Sequence, residues 1–136
     1  PNMTVMAPKN KWELADMMRY AVSFPTPIAV RYPRGTAYDG LKEFRAPIQL
    51  GKSETIAEGS GIVLFALGSM VQTAEKVAER LKEQGVEATV INARFAVPFD
   101  KEKIVSAINK AFIEVDEKLY ETDTANDIAD EIAFGG

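Results

Sequence analysis

The chain has 136 residues, 46% of them hydrophobic, 9% aromatic and 26% charged, and 16 basic against 20 acidic side chains give a formal net charge of −4. It contains neither cysteine nor histidine, which excludes a disulfide framework, a thiol nucleophile, a zinc finger and any imidazole-based triad or metal site. The acidic balance argues against a dedicated nucleic-acid binder, and no apolar run nears the ~20 residues that cross a bilayer.

Position 1 is proline rather than methionine and no charged-then-apolar leader follows it. The expectation is a soluble, cytoplasmic α/β chain, trimmed or excised from a longer one. Met3-Thr4-Val5-Met6, stopped by Pro8, predicts a strand. Asn10 predicts the N-cap of a helix, with Glu13 three residues on as its capping-box partner. Leu14, Met17, Met18 and Ala21 then recur at helical spacing, and Trp12 and the two methionines are expected to pack. Phe24-Pro25-Thr26-Pro27 breaks that helix, because proline lacks the N–H and clashes with the preceding turn. Ile28 to Tyr32 predicts a second strand, and the three elements fit a parallel βαβ unit.

Residues 35–58 carry Gly, Pro, Lys and Glu with little periodicity and predict a linker, with short strands at Ile48-Gln49-Leu50 and Glu54-Thr55-Ile56. Ile62 to Leu67 is a continuous apolar run, the pattern of a parallel strand buried on both faces. A turn at Gly68-Ser69 leads into a helix from about Met70 to Gln84, whose inner face is Val71, Ala74, Val77, Ala78 and Leu81. Gly85 stops it and Val86 to Asn92 is the next strand, completing a second right-handed βαβ unit. Past Phe95, Asp100 is placed to cap a helix through Ile104, Ile108 and Ala111, and Phe112 to Val115 predicts a further strand. Residues 116–136 are acidic, with helical spacing at Ile128 and Ile132. The fold class is α/β, a parallel or mixed sheet with βαβ crossovers in a three-layer α/β/α arrangement.

The sharpest chemical feature is Arg31-Tyr32-Pro33-Arg34-Gly35, at the carboxyl end of the second strand, where open α/β sheets place their ligands. Pro33 ends ladder pairing and Gly35 lets the chain turn away, which presents Arg34 for a bidentate grip on phosphate or carboxylate. The alternative is a pair of surface or ion-paired arginines. Gly68-Ser69, ahead of a helix, offers free N–H groups to an anion, but it matches neither a Gly-x-Gly-x-x-Gly nor a Walker pattern, and a structural turn is favoured. Arg94, just past a strand end, is expected in a salt bridge at an interface. Asp116, Glu117, Glu121, Asp123, Asp127, Asp130 and Glu131 lack the glycine that a calcium loop needs, and read as a solvated face.

Taken in order, Pro1 to Lys9, Ala29-Val30-Arg31-Tyr32-Pro33-Arg34-Gly35, Ile48 to Lys52, Phe65 to Met70 and Val90 to Phe95 resemble the 1-deoxy-D-xylulose-5-phosphate synthases of the transketolase superfamily. The match holds through about residue 105 and thins thereafter. Phe112 to Glu117 is similar to that family's strand ending in paired acids, and Phe134-Gly135-Gly136 to its glycine-rich turn. The resemblance implies the end of a pyrimidine-binding domain in residues 1–40, a connector in 41–58 and an incomplete transketolase C-terminal-like domain in 59–136. It also implies a parent transferase dependent on thiamine diphosphate and Mg2+, homodimeric, which joins decarboxylated pyruvate to glyceraldehyde 3-phosphate for isoprenoid and thiamine biosynthesis.

On the same resemblance Arg34 would hold the phosphate of glyceraldehyde 3-phosphate, with Arg31 and Tyr32 in support. The family's magnesium and diphosphate stretch, its activating glutamate and its catalytic histidines have no counterpart here. The expectation is therefore a structural fragment with no catalytic residue, no metal ligand and no bound cofactor of its own, a sheet edge left open, self-association, and no nucleic-acid or membrane partner. Two other readings stay open: a stand-alone non-catalytic α/β binding or interaction module, and a small flavodoxin-like or nucleotide-binding protein with its ligand at the Arg34 or Gly68 end.

Overall fold

The computed structural model describes residues 2–115. The elements are β1 (Thr4–Met6), α1 (Lys11–Val22), β2 (Ile28–Val30), β3 (Glu54–Ala57), β4 (Ile62–Ala66), α2 (Met70–Glu83), β5 (Ala88–Asn92), β6 (Phe95–Val97) and α3 (Lys101–Val115). They build two three-stranded sheets, ordered β2-β1-β6 and β3-β5-β4. Both expected crossovers are present: β1 runs parallel to β2, Thr4 opposite Ile28, and β4 runs parallel to β5, Ile62 opposite Ala88. Antiparallel β6 on β1 and β3 on β5 make both sheets mixed.

Local chemistry explains most boundaries. Asn10 caps α1, its Oδ1 accepting the Glu13 N–H at 2.8 Å. Glu13, however, does not complete a capping box, because its carboxylate accepts the N–H of Lys9, one residue before the cap, at 2.7 Å. α2 ends in a Schellman motif: the Gly85 N–H reaches the Lys82 carbonyl and the Val86 N–H reaches the Leu81 carbonyl at 2.9 Å. Gly85 takes φ +80, a left-handed position that glycine fills at little cost. Asp100 caps α3 through the Lys103 N–H, and its other oxygen takes both the N–H and the hydroxyl of Ser53.

Two apolar clusters sit beneath these elements. Met6, Met17 and Phe95 centre the first, and Leu41, Ala66, Val71, Ala74 and Val90 centre the second. Leu41, in the linker, thus plugs the second unit. Several expectations need correcting here. Phe112 to Val115 continues α3, since no proline or glycine interrupts residues 101–115. Ile48 to Leu50 is not a strand, because the Lys52 N–H closes a turn back to the Gln49 carbonyl and Gly51 takes φ +65. Met18 and Val77 lie on outer faces, 49% and 40% exposed, and β4 is half-buried rather than buried on both faces. β2 stops at Val30, two residues short of Tyr32, after the Arg31 N–H makes a last bond to the Met6 carbonyl. Strand β6 is an addition that three residues ahead of a proline did not announce. The expectations for residues 116–136, including the paired acids and the terminal glycines, fall outside the described residues.

Candidate functional site

The loops at the carboxyl ends of β1, β2, β4 and β5 meet between the two units, and they build two different things. The first is a closed ion network. Lys9, just after β1, donates from Nζ to Glu13 at 3.2 Å, to Glu54 at 2.8 Å and to the Phe44 carbonyl at 2.9 Å. Arg94 donates from Nε to Glu13 Oε1 at 2.8 Å, and from its two terminal nitrogens to the Pro47 and Ala46 carbonyls at 3.1 and 2.8 Å. Its Nη2 also lies 3.2 Å from Glu54. The Asn92 amide bridges both Glu13 oxygens, and the Ala46 N–H fills Glu54 Oε1.

Two cations face two carboxylates, all of them buried, and among the described residues no buried side-chain polar atom lacks a partner. Burial alone would push the Glu54 carboxyl up. The Lys9 ammonium, the Ala46 N–H and the Arg94 guanidinium together outweigh it and hold the group below the usual carboxylate range. Backbone strain marks the same place: Arg94 takes φ +60 inside a three-residue turn closed by the Phe95 N–H on the Ala93 carbonyl. Ala93 N–H bonds to β4 at Ala66, while the Arg94 carbonyl takes the Ala7 N–H beyond β1. One three-residue step therefore stitches both sheets together, and the interface role expected for Arg94 is what the structure gives it.

The second feature is an open cleft of about 680 Å³ on the other side of Lys9 and Asn10. One wall is the loop Tyr32-Pro33-Arg34-Gly35-Thr36-Ala37, and the opposite wall is the start of α2 with Ser69 and Gln72. Arg34 is exposed and has no hydrogen bond or ion pair to any described residue. Tyr32, two residues before it, is 62% exposed, and Arg31 is exposed as well. Thus the two anion candidates of the sequence, Arg34 and the Gly68-Ser69 turn, come from different βαβ units and share one cleft. Ser69 itself makes no side-chain cap bond to α2. Gly68 takes φ +60, and a Cβ there would stand 3.1 Å from the Ala7 side chain, so this turn is glycine for close packing of the two units.

Tyr38, which the sequence did not single out, closes the end of the cleft. Its hydroxyl donates to Glu75 Oε2 of α2 at 2.8 Å. That bond, with burial and the fields of Glu75, Glu79 and Glu43, pushes the phenol up to about 12, so it stays a donor throughout the physiological range. Among the described residues, no three Asp or Glu side chains converge on one point. Among the described residues, the chemistry on offer in the cleft is the unpaired Arg34 guanidinium, polar groups at the start of α2 and apolar walls.

Comparison with known proteins gives the following. The family model of the transketolase C-terminal domain matches residues 51–133. A 1-deoxy-D-xylulose-5-phosphate synthase from Lachnoclostridium phytofermentans is 49% identical over 104 residues, which is 76% of this chain and 17% of that protein. One from Acaryochloris marina is 46% identical over 113 residues, 81% of this chain and 18% of that protein. The chain thus spans under a fifth of the length of these curated relatives. Among solved structures, a split-gene transketolase in an inactive β4 tetramer superposes with a TM-score of 0.72 at 24% identity, over 80% of this chain and 36% of that one. A transketolase from Campylobacter jejuni gives 0.60 at 19% identity, over 88% of this chain and 17% of that one. These two support the fold.

Proposed function

The chain belongs to the transketolase C-terminal domain family, and on that premise we propose that it is a section of a thiamine-diphosphate-dependent 1-deoxy-D-xylulose-5-phosphate synthase. In this reading residues 1–40 end the pyrimidine-binding domain, 41–58 connect, and 59–136 begin the C-terminal domain. The observation that carries it is Arg34 beyond the end of β2, without a partner among the described residues and set in a cleft between the two units. Close relatives at nearly half identity bear the synthase name. The partners proposed are a second copy of the whole protein and a small phosphorylated aldehyde. No helix among the described residues is long and apolar enough to cross a membrane.

Arg34 would take the phosphate of glyceraldehyde 3-phosphate in a charge-assisted fork. Such a contact is worth roughly 2–3 kcal/mol, so in the complete protein Arg34→Ala is expected to raise the KM for glyceraldehyde 3-phosphate by about 30- to 150-fold. The KM for pyruvate should hardly change, and steady-state kinetics on both substrates decides. Equal rises on both would overturn the phosphate assignment.

Thiamine diphosphate supplies the carbanion chemistry in enzymes of this class, while protein groups bind and orient it. We infer that this section does not hold that group and its metal by itself. Among the described residues no set of three acids converges, and Glu13 and Glu54 are already held by Lys9, Arg94, Asn92 and backbone donors. Titration calorimetry of the 136-residue chain with thiamine diphosphate and Mg2+ is expected to give no saturable heat. Micromolar binding would place a cofactor site on this section. The stand-alone binding module is the second reading, and only a native gene product near this length would favour it.

A further inference from the structure

The loop that bears Arg34 is held only at its ends. At its start the Arg31 N–H bonds to the Met6 carbonyl at 2.8 Å. From residue 32 to 37 every side chain is exposed, and no group hydrogen-bonds to the described chain. At its far end the backbone is pinned to the start of α1: Lys11 N–H to the Tyr38 carbonyl, Lys11 paired with Asp39, and the Asn10 amide on the Gly40 and Leu41 carbonyls. All of these bonds lie within one wall of the cleft. The hydrogen bond from Tyr38 to Glu75 is different, because it crosses to α2, the helix that forms the opposite wall.

The seat for that phenol is built into the chain. Gly40 lies under the Tyr38 ring, and a Cβ at position 40 would overlap the hydroxyl and the ring carbon that bears it. Glycine here leaves room for the ring to lie back toward α2.

We propose that the Tyr38–Glu75 hydrogen bond is a positioning tether, which anchors the far end of the Arg34 loop on α2 and thereby holds Arg34 where a phosphate must arrive. The proposal rests on the assignment of Arg34 to substrate phosphate. Tyr38 and Glu75 touch no substrate in it; they act through the loop. A loop of six otherwise unbonded residues has many conformations to lose on ligand binding. When only a fraction of molecules holds the competent arrangement, apparent affinity falls by that fraction. Release of the tether therefore weakens phosphate capture while leaving chemistry on bound substrate intact.

The test is steady-state kinetics of the complete protein with pyruvate and either glyceraldehyde 3-phosphate or unphosphorylated glyceraldehyde. Tyr38→Phe and Gly40→Ala are each expected to raise the KM for glyceraldehyde 3-phosphate by about three- to tenfold. The kcat and the KM values for pyruvate and glyceraldehyde should stay within twofold. Glu75→Gln keeps an acceptor oxygen and should behave as the parent, whereas Glu75→Ala should match Tyr38→Phe. Arg34→Ala is run beside them. If it shows the phosphate-specific loss and Tyr38→Phe does not, the tether is refuted and the arginine assignment stands. If Arg34→Ala itself shows no phosphate-specific loss, the assignment falls and the tether with it. Equal KM rises for all three substrates in Tyr38→Phe would make the bond a plain structural contact and overturn the proposal.

Discussion

Glu13→Gln is expected to lower the unfolding free energy by about 3–5 kcal/mol, the usual cost of breaking a buried charge pair from one side. The glutamine fits the space, so the loss is electrostatic. Glu13 accepts from the Lys9 N–H and Nζ, from Asn92 and from Arg94 Nε, and its neutralisation leaves two buried cations to share Glu54. Urea titration followed by far-ultraviolet dichroism measures the change. A shift under 1 kcal/mol would mean that water reaches the network and screens it.

Charge balance supplies the control. In Lys9→Met/Glu13→Gln one cation and one carboxylate leave together, so the double variant should lose less than the sum of the single losses, with a coupling of about 1–3 kcal/mol. Acid should act on the same network. Glu54 titrates below its unfolded value because its partners favour the charged form. Its contribution is therefore complete above the unfolded carboxylate range near pH 4 and is lost as pH falls through the lower folded value. Stability of the parent should drop below about pH 4, and Glu54→Gln, already weakened, should drop less steeply there.

Phe95→Ala is the second large effect, at about 3–5 kcal/mol for a fully buried aromatic cut to a methyl. Phe95 has no exposed surface, stands edge-on to Tyr20 at 6.4 Å and 81°, and pairs opposite Met6 in the ladder. Met6 and Met17 beside it are equally buried, and Tyr20, Ile28, Val30 and Ile48 pack around the three. Phe95→Leu retains most of the volume and should cost under about 1.5 kcal/mol. If the alanine variant unfolds at nearly the parental urea midpoint, the first cluster is not a core that holds β6 to β1.

The particular residues show what a sequence can and cannot disclose. Asn10, Gly85 and Asp100 act on partners within five positions, and their roles as caps and stops follow from local chemistry. The two βαβ units declare themselves through short apolar runs on either side of a 3.6-residue helical period, and the parallel pairing of β4 with β5 is nearly forced by the helix between them. The exposed position of Arg34 beyond β2 was legible through its place after a strand and before a glycine. Lys9 was not, because a lysine after a short strand ordinarily lies in water; only the meeting of Glu13, Glu54 and the Phe44 carbonyl around it gives it a buried role. Tyr38 and Glu75 stand 37 positions apart with no pattern between them. β6 was hidden for a similar reason, since its pairing with β1 closes across most of the chain.

That pairing also has a meaning for the chain while it is being made. β1 obtains β2 within thirty residues, but its other edge and the charges of Lys9, Glu13 and Glu54 have no Phe95 or Arg94 until synthesis has passed those positions. At roughly 5–20 residues per second, the nascent segment waits several seconds with an open strand edge, the condition under which chains stick to one another. During that wait the lysine and the two glutamates remain hydrated, and desolvating any of them without its counter-charges would be costly. They keep the growing end soluble first, and become its lock only when the last partner arrives.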